Sequence, residues 1–225
     1  MCGRYSQTRD LAALVRRFKT AQIRAEVQPR YNVAPSQPAP VVVQNTERTL
    51  DSYRWGLVPS WAKDFKAGHK MINARMETVA DRPAFRRPLR SQRCLVPADG
   101  FFEWRTDPTR EARTPMRVEL KSHEPFAFAG LWDSWRDAEG RETRSFTILT
   151  TAANELVATI HDRMPVILRP EDEDLWLDPS ADLAALRRVM VPYAGREMRA
   201  YAVSTAVNSP RNDTPACIAP VEPER

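Results

Sequence analysis

The stretch RYNVAPSQPAPVVVQ (30–44) constrains the fold more than any other, because Pro35, Pro38 and Pro40 stand directly ahead of three consecutive valines. Proline lacks an amide hydrogen and turns its predecessor away from helical geometry, so the segment must run extended into a strand at 41–44. Similar punctuation recurs along the chain. SYRWGLVPSWAKD (52–64) reads as a strand followed by a tryptophan-rich proline turn. CLVPADGFFEWR (94–105) reads as a strand, a turn at Asp99–Gly100 and a second strand. Polar residues 105–115, with two prolines, suit a hairpin loop, and PMRVEL, PFAFAGLWDSW, SFTILTT and AYAVSTAV read as further strands. DLAALVRRFK (10–19) places Leu11, Leu14, Val15 and Phe18 at helical spacing behind Asp10 as N-cap. EDEDLWL and DLAALRRVM read as two more helices with acids in their first turns. MINARMETV fits helix or strand, and NELVATIHDRM a short helix or turn ending at Pro165. The Pro-rich tail from Asn208 is expected to drape over the surface. With no repeat and no low-complexity linker, the pattern predicts one α+β domain spanning 1–225.

A chain of 225 residues is long enough to build a core without staples. Its three cysteines (Cys2, Cys94, Cys217) and three histidines have no disulfide-framework or metal-ligand spacing, so no metal or cofactor is expected. No secretory signal or membrane-spanning run is found in the sequence, which predicts a cytoplasmic, nucleoid-associated protein with reduced thiols and no membrane partner. The net charge of +5 permits an anionic partner without demanding one.

The chain opens MCGRYSQ. Removal of Met1 leaves Cys2 with a free α-amine and a thiol on neighbouring carbons, a 1,2-aminothiol that no internal residue offers. In DGFFEWR, alternation puts Phe102 and Trp104 on one face and Phe101, Glu103 and Arg105 on the other, so Glu103 is either a surface or salt-bridged group or a desolvated carboxyl of raised pKa. His161 in TIHDRMP is a proton donor and acceptor by residue type, or caps a turn. Asn73 in INAR orients a substrate oxygen, or closes a turn. Arg75, Arg82, Arg86, Arg87, Arg90 and Arg93 fall within twenty residues, downstream of Trp55 and Trp61. Arginines for phosphates and tryptophans for bases are the ingredients of single-strand DNA binding, although by pattern alone a solvated charged face with core tryptophans is the better reading.

Taken together, MCGRY, RYNVAPSQ, WGLVPSWAKD, INARMETV, RCLVPADGFFEW, AGLWDSW, TILTTAANELVATIHDRMPVIL and AVSTAVNSPRND resemble the SRAP family, the SOS-response-associated peptidases or abasic-site processing proteins. The resemblance covers most of the chain. It implies a compact β-rich α+β fold with flanking helices and a basic DNA channel. It also implies covalent capture of abasic sites in single-stranded DNA. The family's catalytic residues fall on Cys2, Asn73, Glu103 and His161. Arg4, Asn32, Arg75 and Thr150 match positions expected near the lesion or its phosphates, Pro35 and Trp61 match base-stacking positions, and Arg86 matches a further DNA contact. Ala62 stands where some members carry a second aromatic, implying a smaller stacking platform.

On that reading the Cys2 amine forms an imine with the ring-opened sugar, and the thiol closes a thiazolidine that shields the lesion. Met1 is removed by the protein itself or by an aminopeptidase. The expected species is a monomer, with replication-fork proteins left open as partners. Two other readings fit the same residues: a cysteine peptidase using Cys2, His161 and Asn73, and a non-covalent single-strand DNA-binding module.

Overall fold

A computed structural model describes residues 2–106 and 113–221. In chain order the strands and helices are β1 (Tyr5–Gln7), α1 (Leu11–Phe18), β2 (Gln22–Ile23), β3 (Arg30–Val33), β4 (Pro38–Gln44), β5 (Arg48–Trp55), β6 (Asn73–Arg75), α2 (Pro83–Ser91), β7 (Arg93–Ala98), β8 (Gly100–Arg105), β9 (Thr114–Leu120), β10 (Phe126–Arg136), β11 (Glu142–Ala152), β12 (Arg163–Pro165), β13 (Ile167–Leu168), α3 (Glu173–Leu177), α4 (Leu183–Val189) and β14 (Met198–Ala202).

The strands form two sheets. The larger runs β12-β11-β10-β7-β4-β5-β2, and β11 also pairs in parallel with β5 at Ser145↔Arg54 and Phe146↔Trp55. Strands β5, β4, β7, β10 and β11 therefore close a ring. The smaller sheet runs β14-β9-β8-β1-β3. Side chains alternate as strand geometry requires. Val41, Val43, Cys94, Val96, Phe126 and Phe128 pack in one cluster with Cys2, Tyr5, Val33, Phe101 and Val118 of the small-sheet region. Val42, Leu95, Ala127, Ala129 and Leu131 pack in another with Leu14 and Phe18 of α1, Leu89 of α2, Trp176 of α3 and Leu186 of α4.

The proline-led segment enters β4 as its residues require. β7 pairs with β4 only at Val42 and Val43, so the Pro38–Pro40 half has β5 as its one paired neighbour. That is where a sheet tolerates residues without an amide hydrogen. Helix α1 forms behind Asp10, whose carboxylate accepts the Ala13 amide at 2.8 Å. α3 carries Glu173 and Asp174 in its first turn. α4 differs from the expectation: its acid is the N-cap Asp182, accepting from Ala185 N at 2.7 Å, with none in the first turn.

Two other expectations need correction. β7 and β8 are strands, but Asp99–Gly100 is not a hairpin turn between them; it is the corner where the chain leaves one sheet for the other. Asp99 takes the Ser6 hydroxyl at 2.6 Å and the Thr8 hydroxyl at 2.6 Å, and the Arg117 guanidinium lies against its carboxylate at 3.0 Å. A Cβ on Gly100 would stand 2.8 Å from that guanidinium, so glycine is needed here for space rather than for a turn. The hairpin does form one step later, between β8 and β9, although the central loop residues 107–112 lie outside the described region. The tail beyond Asn208 does not merely drape: Cys217 is buried in a third cluster with Phe102, Val203 and Val207. Among the described residues no helix is long and apolar enough to cross a membrane.

Candidate active site and nucleic-acid groove

β1 begins three residues after Cys2 and is held between β3 and β8, with Tyr5 opposite Val33 on one side and Phe101 on the other. This pairing draws Cys2 into the interior, where it is fully buried. Its Sγ lies 3.7 Å from the Arg4 carbonyl. Burial, followed by the Glu103 charge, pushes the thiol well above its ordinary pKa.

Glu103 comes from the same sheet, on β8. The face assignment read from alternation is correct: Phe101 points into the cluster that holds Cys2, while Phe102 and Trp104 pack on the opposite side with the tail. Glu103 is 3% exposed, and burial raises its carboxyl pKa against the opposing pull of His161.

Asn73 comes from the other sheet, on β6, which pairs in parallel with β11 at Ile148↔Asn73 and Thr150↔Arg75. Its Nδ2 donates to the Cys2 carbonyl at 2.8 Å, and its buried Oδ1 has no partner among the described residues. His161 follows the 3₁₀ turn at Val157–Thr159. Its Nδ1 accepts the Arg163 amide at 3.0 Å, and the Asp162 carboxylate lies 2.9 Å from the same nitrogen. A lone pair on Nδ1 satisfies the Arg163 amide and a proton there satisfies the Asp162 carboxylate, so this nitrogen serves one of the two at a time.

A groove of about 430 Å³ opens at Asn73, lined by Trp61, Lys70, Arg75, Arg82 and Phe85 among others. It has three cations on its wall and no acid. Trp61 is 64% exposed and rides on the loop between β5 and β6. That loop is pinched at its base: a Cβ on Gly56, which has φ +113°, would meet the Gly68 carbonyl oxygen at 2.6 Å. Only glycine permits so close a backbone crossing. Trp135 Nε1 donates to the Ala62 carbonyl at 2.7 Å and fixes the loop beside Trp61. Arg75 remains available because Glu77, the nearest acid along the chain, is held by Arg163 at 2.6 and 2.9 Å.

The other expected DNA contacts are scattered. Thr150 is buried behind Arg75, and its carbonyl accepts from Arg163 at 2.8 Å. Pro35 sits half-buried in the turn before β4 and does not line the groove. Arg86 lines a separate concavity between α2 and α4 with Arg90, Asp182 and Leu186. Asn32 is fully buried, and Arg4 donates to it at 2.8 Å. Lys70 and Phe85 line the groove outside the sequence expectations, and Arg82, expected only as part of the arginine run, lines it as well. Lys70 stands three residues before Asn73 and was the one most open to discovery by position.

These features define a two-sheet α+β protein that buries a cysteine at position 2 among an asparagine, a carboxyl and a histidine, at the end of a cationic, aromatic groove. The chain belongs to the SOS response associated peptidase (SRAP) family, whose model matches residues 1–210. It is 47% identical over 223 residues to the abasic site processing protein YoqW of Bacillus subtilis, covering 97% of this chain and 99% of that one. It is 34% identical to the abasic site processing protein HMCES of Gallus gallus, over 87% of this chain and 67% of that one. A crystal structure of a Bacteroides thetaiotaomicron protein superposes with a TM-score of 0.88 at 27% identity, covering 98% of this chain and all of that one.

Proposed function

We propose that this protein processes abasic sites in single-stranded DNA by trapping them covalently on Cys2. The observation that carries the reading is Asn73: it grips the Cys2 carbonyl at 2.8 Å and also lines the groove with Trp61, Arg75 and Arg82. One side chain thus joins the nucleophile to the surface suited to a nucleic acid strand. The names of the Bacillus and Gallus relatives agree with an abasic-site substrate.

Met1 must first be removed. The terminal amine has an ordinary pKa of about 7.7–8.0, against about 10.4 for lysine, so a useful fraction is uncharged at pH 7. It adds to the C1′ aldehyde of the open sugar, and the carbinolamine loses water to give an imine. The Cys2 sulfur then adds to the same carbon while its proton passes to the nitrogen. The product is a thiazolidine and the one by-product is water. Glu103, whose carboxyl pKa is raised by burial, relays protons during amine addition and dehydration. His161 protonates the ring oxygen as the C1′ hydroxyl gives up its proton to Glu103, which opens the sugar to the aldehyde. Asn73 Oδ1 accepts from a sugar hydroxyl and holds C1′ beside the amine, and such positioning is worth a large effective concentration. Trp61 stacks on a neighbouring base, while Lys70, Arg75 and Arg82 take phosphates.

A conventional cysteine peptidase needs an accessible thiolate. Cys2 is buried and its thiol is pushed away from ionisation, which favours the amine-led route. The deciding experiment mixes Met1-free protein with single-stranded DNA bearing one abasic site, followed by a denaturing gel. A heat-resistant shifted band, lost in Cys2→Ala and on acetylation of the terminus, is expected. Free DNA throughout would overturn the reading, and peptidase activity that survives acetylation would establish the rival.

A further inference from the structure

Arg4 and Asn32 match positions expected to touch DNA, yet their hydrogen bonds point elsewhere. Asn32 is fully buried on β3. Its Nδ2 faces the carbonyls of Val207 at 3.2 Å, Ser209 at 3.0 Å and Asn212 at 2.6 Å. Its Oδ1 accepts from Arg4 Nη1 at 2.8 Å, and the same Nη1 donates to the Val207 carbonyl at 2.6 Å. Asp213 closes the far end of this segment: its Oδ1 accepts the amides of Tyr31 at 2.6 Å and Asn32 at 2.9 Å, and its Oδ2 accepts from Arg30 Nε. Trp104 Nε1 donates to Asn208 Oδ1 at 2.7 Å, and Val207 is buried against Phe102. The segment 207–213 is thus tied along its length to β3, β8 and the first residues of the chain.

We infer that residues 207–213 form a clamp that aims Cys2, with Asn32 and Asp213 as its positioning residues. Arg4 is the link. Its carbonyl accepts the Phe102 amide at 2.9 Å and lies 3.7 Å from the Cys2 Sγ, while its guanidinium is held by Asn32 and the tail. The short run from Cys2 to Arg4 is therefore held by Asn73 through the Cys2 carbonyl, by β8 through the Arg4 carbonyl and by the tail through the Arg4 guanidinium. Releasing the tail frees one of these anchors and loosens the aim of the Cys2 side chain. Both Nδ2 hydrogens of Asn32 are engaged by backbone carbonyls, so a phosphate could use them only by displacing the clamp. The inference rests on the reading of Cys2 as nucleophile, but the geometry of the clamp is independent of DNA.

The test compares Met1-free wild type with Asn32→Ala, Asp213→Asn and the milder Trp104→Phe, which removes the hydrogen bond to Asn208 but keeps an aromatic ring where the Arg4 guanidinium lies over Trp104. Three quantities are measured: single-turnover trapping of an abasic oligonucleotide at saturating protein, affinity for the intact oligonucleotide, and alkylation of Cys2 by N-ethylmaleimide with Cys94 as internal reference. Misplacing a reacting group by about 1 Å can cost on the order of 10²-fold in rate, so trapping should fall at least about tenfold in Asn32→Ala and Asp213→Asn. Affinity should stay within about twofold, and Cys2 should alkylate several-fold faster while Cys94 does not. Trp104→Phe should shift both rates in the same directions by less, which keeps the test decisive if the larger changes prevent folding. Parallel losses of affinity and trapping, or unchanged Cys2 alkylation, would overturn the clamp. Wild-type protein that traps nothing would sink the proposed chemistry instead, with alkylation still deciding the clamp.

Discussion

The groove and the pocket at its end follow opposite rules. The groove is open, lined by Trp61, Lys70, Arg75 and Arg82, and its charges face solvent. The pocket is enclosed: Cys2 and Glu103 are buried, and both are shifted towards their neutral forms. Recognition of a charged strand gains from exposed, long-range cations, at the cost of sensitivity to salt. Proton transfer and imine chemistry gain from groups whose pKa values are moved by desolvation and whose positions are fixed. Asn73 is the hinge between the two regions, and each variant below should affect one region while sparing the other.

Cys2→Ala gives the sharpest break. Without sulfur the imine cannot close, so the heat-resistant adduct should vanish while affinity for intact single-stranded DNA stays within about twofold, since the thiol is buried away from the groove. Loss of both on gel and in fluorescence anisotropy would erase the division of labour. Next is Glu103→Gln, which should slow trapping about 10²-fold, the scale of general acid–base catalysis, again without changing affinity. The same variant should also alter stability. A carboxyl whose folded pKa is raised binds protons more readily in the folded state. Its contribution is fully present below the unfolded value, about 4.3, and is lost as pH rises through the folded value. Glu103→Gln should therefore melt higher than wild type at pH 7, with the advantage shrinking towards pH 4. A pH-independent difference would show that Glu103 is not held against its charge by burial.

The pocket was far more legible in the sequence than the groove. Cys2 announces itself by position, and alternation in DGFFEWR correctly separates Phe101 from Phe102 and Trp104. What alternation cannot reveal is that Asp99–Gly100 turns a corner between two sheets, because an Asp-Gly step bounded by apolar runs looks the same in a hairpin. The spacing of arginines likewise gives no hint that Arg75 and Arg86 line different concavities, since α2 intervenes between them. Asn32 looks like a polar residue beside a turn. Only its contacts with a segment about 180 residues later in the chain, such as the bond to the Asn212 carbonyl, reveal a buried structural amide.

Trp61→Ala tests the groove side. Loss of one base–aromatic stack, within roughly 1–3 kcal/mol, should weaken binding to intact strands about tenfold. Trapping at saturating protein should change little, because Trp61 is exposed and takes no part in the burial that governs Cys2 and Glu103. A fall in saturated trapping equal to the fall in affinity would mean that stacking also sets the position of the sugar, and the two regions would merge into one.

The smallest effect is the most informative about the path of the strand. Arg75 leaves β6 at the groove wall two residues after Asn73, whereas Arg86 sits across α2 in the other concavity. A phosphate contact on single-stranded DNA contributes about 0.7 to the slope of log affinity against log salt. Arg75→Ala should therefore lower that slope by about 0.7 and weaken binding a few-fold at moderate salt, with the difference closing as salt rises. Arg86→Ala should leave the slope unchanged if the strand keeps to the Asn73 groove. Equal slope changes in both variants would instead carry the backbone over α2 into the second concavity. The groove would then be only the lesion-proximal half of a longer track, and the exposed region would act on the DNA well beyond the reach of the buried one.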